Sequence, residues 1–166
     1  MKDQISYKAV WTIRKFKSDE AYQAWKNGCV VDYEISRFDG NLLLNEGKSR
    51  LHNLLTGGGG NNYGNAAAYL GVGDSATAEA VTDTGLIAAT NKFWRPMEAT
   101  YPTFTSPNKT TWRAVFGSTE ANYAWNEFTV VNASTDTGDN LNRKTSSQGT
   151  KTSGQTWTLD LEITWS

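Results

Sequence analysis

Few side chains in this chain have the type and spacing to do chemistry. Gly47-Lys48-Ser49 matches the end of a phosphate-binding loop, where backbone amides cradle the phosphate and lysine neutralises it. That motif needs a glycine five positions before Gly47, and Leu42 stands there, so Lys48 and Ser49 are expected on a helix surface and no nucleotide site is expected. Cys29 and His52 are the only cysteine and the only histidine, which rules out an intramolecular disulfide and a two-cysteine, two-histidine zinc set. His52 also lacks the Gly-x-Ser-x-Gly elbow of a hydrolase triad. Asp136-Thr137-Gly138-Asp139-Asn140 looks like a fragment of a calcium loop but lacks the alternating carboxylates and closing glutamate, so a polar turn is expected. Gly57 to Gly60 has no cation close by in sequence and follows no strand, which reads as a flexible connection. Glu120 and Glu127 are the carboxylate pair to suspect for acid–base work. No catalytic residue, metal or cofactor is expected, and the chain reads as non-enzymatic.

The aromatic residues offer more. Seven Trp, seven Tyr and six Phe are present, and most fall in alternating patterns that assign them to a core. Trp25, Tyr63, Phe93, Trp94, Tyr101 and Phe104 fall instead in loops or irregular segments. Such a cluster is expected to mark a protein interface. The alternative is a sugar-binding face, with Trp94 and Tyr101 stacking on rings as in carbohydrate-binding modules.

The elements that must position these residues are mainly strands. Trp157, Leu159, Leu161, Ile163 and Trp165 alternate with Thr158, Asp160, Glu162 and Thr164, predicting a strand with one packed and one wet face. Tyr7, Ala9, Trp11 and Ile13 repeat the pattern, as do Val31, Tyr33 and Ile35. Ser18 to Gly28 carries a capping serine, acidic residues in the first turn and a terminal glycine, which suits one or two helical turns. Leu42 to Leu44 reads as a short strand. Asn45 is the expected N-cap of a helix through Leu55, with Leu51, Leu54 and Leu55 toward the sheet and Glu46 placed to pair with Arg50. Further strands are predicted at 66–72, at 110–116 and at 122–131, the last with a bulge near Asn126, and an edge strand within 142–154. Residues 74–86 read as a long surface loop. The sum is a mostly β protein: an antiparallel β-sandwich, jelly-roll or Ig-like, over residues 41–166 with a helix near 45–56, preceded by an arm or small β-hairpin subdomain over residues 1–40.

At 166 residues the chain is long enough for one core. Its 16 basic and 17 acidic residues leave a net charge of −1, which does not suit a phosphate-tracking surface, so no nucleic-acid partner is expected. No run approaches the ~20 apolar residues of a membrane-spanning helix. Met1-Lys2-Asp3-Gln4 opens no signal peptide, so a protein made in the cytosol, with no membrane partner, is expected.

A resemblance extends this reading. Asn45-Glu46-Gly47, Leu54-Leu55-Thr56-Gly57, Ala68-Tyr69-Leu70-Gly71-Val72-Gly73-Asp74, Thr84 to Leu86, and Glu120-Ala121-Asn122-Tyr123-Ala124-Trp125-Asn126-Glu127-Phe128 together resemble small structural proteins encoded among the head and tail genes of tailed bacteriophages. The same segments are similar to the N-terminal domain of the phage tail-collar fibre family. The resemblance implies a virion protein that self-associates, with a homotrimer as the expected state, and docks on the major capsid protein or on tail and collar proteins. A fibre would continue into a shaft, whereas this sequence ends at Ser166 on a strand. A compact capsid decoration or cement subunit is therefore expected ahead of a tail, collar or baseplate adaptor.

Overall fold

The computed structural model describes residues 6–166. Two five-stranded antiparallel sheets face each other as a β-sandwich. The first contains β1 (Tyr7–Phe16), β2 (Glu34–Asp39), β6 (Thr103–Thr105), β7 (Lys109–Phe116) and β10 (Thr156–Trp165), in the order β2-β1-β10-β7-β6. The second contains β3 (Leu42–Leu43), β4 (Tyr69–Gly73), β5 (Lys92–Pro96), β8 (Glu127–Val131) and β9 (Asn142–Thr145), in the order β3-β9-β8-β4-β5. Two helices, α1 (Asp19–Lys26) and α2 (Asn45–Leu55), complete the fold.

The expected arm over residues 1–40 is built into the sandwich instead. Residues 1–5 of that segment lie outside the described residues. β1 is an inner strand, paired along its whole length with β10 from Tyr7↔Trp165 to Phe16↔Thr156, and with β2 on its other side. Trp11 and Ile13 have the same apolar alternation as Leu159 and Leu161, so a full-length pairing buries both sets on one face. They meet Leu70, Val72, Phe128 and Val130 from the second sheet, with Trp112, Phe116, Trp125 and Trp157 filling the space between. Trp125 lies edge-on to both Phe116 and Trp157, with ring centroids 4.8 and 4.9 Å away.

Several expected elements shift. Strand β2 begins at Glu34, which turns Phe38 rather than Tyr33 toward the core and stacks it on Trp11. The strand expected over 122–131 starts only at Glu127, and the conflicting parity of Trp125 is resolved by a turn with Ala121 at φ 49° in place of a bulge. Strands β5 and β6 have no alternating apolar pattern to predict them. The segment from Ser18 does form a helix: Ser18 accepts from the Ala21 amide at 3.2 Å, and Gly28 ends it at φ 84°.

Helix α2 begins at Asn45, with Leu44 in the cap position and no side-chain cap bond. Glu46 does not pair with Arg50. Its carboxylate accepts from the Asn140 amide at 2.6 Å, and Arg50 Nε donates to Asp139 at 2.6 Å, so both tie the helix to the β8–β9 turn. Gly47 has a packing reason: a Cβ there would run into the backbone of Leu141, so the helix can cross that turn only with glycine.

Part of each outer face of the sandwich is covered as well, which alternation alone does not predict. Thr156, Thr158 and Asp160 on the expected wet face of β10 are buried. Helix α1 lies over that face, where Phe16, Tyr22, Trp25 and Tyr33 form a second aromatic cluster with neighbouring centroids 5.0–6.2 Å apart.

On the other side, the long loop between β4 and β5 folds down over the second sheet. Glu127, fully buried, accepts from the Ile87 amide at 3.0 Å, the Ala88 amide at 2.8 Å and Arg143 Nε at 2.9 Å. Arg143, equally buried, donates onward to the Thr77 carbonyl at 3.0 Å and to Asp83 at 3.0 Å. Gly73 leaves the space that the Glu127 carboxylate occupies. The loop is thus held by charge-assisted hydrogen bonds from the sheet beneath it. Removing one member of a buried pair strands the other, so Arg143→Met is expected to lower unfolding free energy by about 3–5 kcal/mol. Urea denaturation measures that loss, and limited proteolysis is expected to cut first between residues 74 and 91. An unchanged midpoint and cleavage pattern would remove the pin from the account.

Candidate interaction surfaces

The six aromatic residues expected at an interface are not brought to one surface. Tyr63 is a core residue: its hydroxyl donates to the Asp139 carbonyl at 3.1 Å, and its own carbonyl accepts from Trp112 Nε1 at 2.8 Å. Phe93 and Trp94 sit half-buried on edge strand β5, Phe93 packing inward against Phe116 and Trp94 lying on the outer face beside Gly71. Phe104, on the short edge strand β6, is 69% exposed.

Trp25 and Tyr101 are brought together, 76 positions apart, by the guanidinium of Arg113. It lies 5.9 Å from the Trp25 ring and 4.7 Å from the Tyr101 ring. Arg14 lies 5.6 Å from the same Trp25 ring. Both arginines converge on Asp160, Arg113 through two bonds of 2.7 and 2.6 Å and Arg14 through one of 2.8 Å. This cluster clamps α1 to the first sheet. Three cation–π contacts and a forked carboxylate contact hold the planar groups in register. Arg113 thereby covers a face of the Tyr101 ring, while Trp94, the other ring of the sugar-binding alternative, lies half-buried on β5 with Lys92 Nζ 6.0 Å from its centroid.

The other candidate groups are also engaged. Both oxygens of Glu127 are filled as described, and Glu120 pairs with Arg95 at 3.1 Å and accepts from the Gly117 amide at 2.8 Å. Asp136 accepts from the Leu86 amide and lies 3.4 Å from Lys92, and burial raises its pKa. Among the described residues, no three His, Cys, Asp or Glu side chains gather as a metal set. The glycine loop does have a cation at hand: Arg50, nine residues before Gly59, donates to its carbonyl at 3.0 Å. No helix among the described residues is long and apolar enough to cross a membrane.

Two surface depressions stand out. One, of about 520 Å³, opens at the end of the first sheet and is lined by Lys15, Lys17, Asp32, Tyr33, Glu34 and Trp157, among others. Its charges are internally matched, Lys15 with Glu34 at 2.8 Å and Lys17 with Asp32 at 3.3 Å, and the Lys15 ammonium covers the Trp157 ring at 4.8 Å.

The other, of about 540 Å³, is an almost wholly apolar groove between α2 and the end of β10, lined by Leu43, Lys48, Leu51, His52, Leu55 and Trp165. Leu55, expected to face the sheet, is 83% exposed. Trp165 is braced by Tyr7 at 5.4 Å, and the Tyr7 hydroxyl is fixed between the Asn41 carbonyl and the Leu43 amide at 3.0 and 3.2 Å. These contacts set the position of the Trp165 ring at the groove floor. By register, the β6–β7 hairpin carrying Phe104 lies at this same end, since Phe104 pairs with Thr110, which pairs with Ile163. The sequence signal for this surface was present in the wide Leu51, Leu54, Leu55 stripe of α2, which covers more of the helix than the short strand β3 beside it can bury.

Comparison with protein-family models, curated proteins and solved structures found no match to this chain.

The anchoring of α1 has a pH signature. Tyr22 donates to Glu98 at 2.7 Å, Lys26 donates to the same oxygen at 2.9 Å, and burial followed by the Glu98 contact pushes the Tyr22 phenol up to about 12. Because the folded value lies above the unfolded one, the stabilisation is complete below about pH 10 and is lost as pH rises from there through about 12. Thermal melts across that window are expected to show an alkaline loss of which Tyr22 supplies on the order of 2 kcal/mol, so that Tyr22→Phe reduces the loss by that amount and leaves the part due to Tyr7, Tyr63 and Tyr123, whose phenols burial also raises. A Tyr22→Phe protein with the same alkaline loss would assign it to another group.

Proposed function

We propose that this chain is a structural virion protein of a tailed bacteriophage, a capsid decoration or cement subunit that works by self-association and docking on the shell. The observation that carries the reading is the apolar end of the sandwich, where the groove beside Trp165 and the projecting Phe104 lie together on a braced scaffold. The family resemblance of the segments from Asn45 to Phe128 supports the phage assignment.

A cement subunit must lower the free energy of an assembled lattice without changing its own shape. Apolar area yields roughly 25 cal/mol per Å² when removed from water, and many copies multiply a small contact. The occupant of the groove is a second copy of this chain. One end offers both a recess and a protruding ring, a self-complementary patch that suits contact between two copies, and the homotrimer rests on the resemblance to lattice-bound phage subunits. A net charge near zero leaves such contacts free of strong self-repulsion.

Leu55→Glu combined with Phe104→Glu places charge in this contact while touching no core residue. Sedimentation equilibrium is expected to show at least tenfold weaker self-association with an unchanged melting temperature. A monomeric wild-type chain, or a double variant that associates normally, would refute the contact. Copy number in purified particles tests the location. Decoration requires a number comparable to that of the major capsid protein, whereas a handful of copies would move the chain to the tail or collar.

A further inference from the structure

Lys151 is the one lysine among the described residues with no exposed surface, and no carboxylate pairs with it. Its Nζ donates to the Gly117 carbonyl at 2.7 Å, the Glu120 carbonyl at 2.9 Å and the Asn122 side-chain oxygen at 2.8 Å. The third partner differs in its leaving group, because attack on the side-chain amide carbon expels ammonia, whereas attack on a backbone carbonyl would cut the chain.

The surroundings hold the two groups in place. Asn122 Nδ2 donates to the Ser118 carbonyl at 3.1 Å, which fixes the amide plane, and the Lys151 amide donates to the Tyr123 carbonyl at 3.0 Å. Ala124 and Thr150 form a bridge beside them. Between Glu120 and Asn122, the buried Ala121 adopts φ 49°, a left-handed conformation that a residue with a Cβ rarely takes, and this turn carries the Asn122 side chain to the amine.

The geometry points to an intramolecular isopeptide bond between Lys151 Nζ and Asn122 Cγ, formed after folding. Lys151, which has no exposed surface of its own, gives up its ammonium proton to water at the exposed Asn122 side of the contact. The Nζ lone pair adds to Cγ, the Cγ–Nδ2 bond breaks, and Nδ2 leaves as ammonia with its own two hydrogens and one from Nζ. The remaining Nζ hydrogen stays on the new amide, so the step needs no oxidant or co-reactant. Holding amine and amide together replaces a bimolecular encounter with a unimolecular one. Burial pushes the Lys151 amine down to about 8, against the opposing charges of Glu120 and Asp19, which makes the neutral nucleophile more accessible than in an exposed lysine. Asn122 is exposed, so ammonia has a route to water. The link would close a covalent ring around β8 and β9, and it stands independently of the virion reading.

The test is the intact mass of the purified full chain under denaturing conditions, after incubation of the folded protein at about pH 9 to populate the neutral amine. The expected mass is below that of the sequence by one ammonia, and a protease digest is expected to contain a branched peptide joining the residues around 122 to those around 151. Lys151→Arg is expected to show its full sequence mass, and Asn122→Asp to lose water in place of ammonia. A full-mass wild-type chain overturns the proposal. So does a loss of ammonia without the branched peptide, which is the signature of a succinimide, for instance at Asn27-Gly28.

Discussion

The buried contact between Glu127 and Arg143 is the constraint on which the second half of the sandwich depends. Neither side chain has any exposed surface, and each spends its remaining hydrogen-bonding capacity on the loop between β4 and β5. A buried pair is costly to desolvate, and it becomes tolerable only when its other lone pairs and N–H groups are also satisfied. Here the loop supplies those partners and the pair in turn orders the loop. Charge and loop are therefore a single cooperative unit, which closes over Glu127 on the outer face of β8, while Phe128 and Val130 on its inner face are buried in the core.

The first sheet solves the same problem by different means. Its outer face is closed by α1, held through the Asp160 carboxylate, the two arginines that converge on it, and the Trp25 and Tyr101 rings that flank the Arg113 guanidinium. Asp19 of that helix also accepts from the Ser118 amide at 3.2 Å and from the hydroxyl of Thr156, tying α1 to the first strand residue of β10. Each outer face is thus pinned where a helix or a loop lies on it. In the proposed self-association, pinning of this kind lowers the ordering cost of contact.

The aromatic residues show how these demands divide. Tyr63 and Trp125 complete the core, and Trp25 and Tyr101 clamp a helix, while Phe104 and Trp165 remain at the edge of the surface the chain leaves uncovered. An aromatic ring in an irregular segment is therefore a poor guide to exposure. Loops that cover a sheet bury their rings as effectively as strands do.

Several features of this protein were determined by its sequence alone. Alternation at Tyr7 to Ile13 and at Trp157 to Trp165 specifies two strands and their shared inner face, because the side-chain period of a strand is two whatever lies beyond it. The Ser18 cap and Gly28 stop delimit α1 by local hydrogen bonding and backbone freedom, and Leu42 standing where a phosphate loop needs glycine leaves Gly47 to be explained by packing. Tertiary structure alone decided what lies over each outer face, which partner Glu127 takes, and that Leu55 points outward. It also set Lys151 against Asn122. Period-two alternation reports which residues share a face but carries no information about what covers it. Contacts such as Glu127 with Arg143, or Arg113 with Trp25 and Tyr101, join residues whose separation along the chain bears no relation to their separation in space, so no local pattern can encode them.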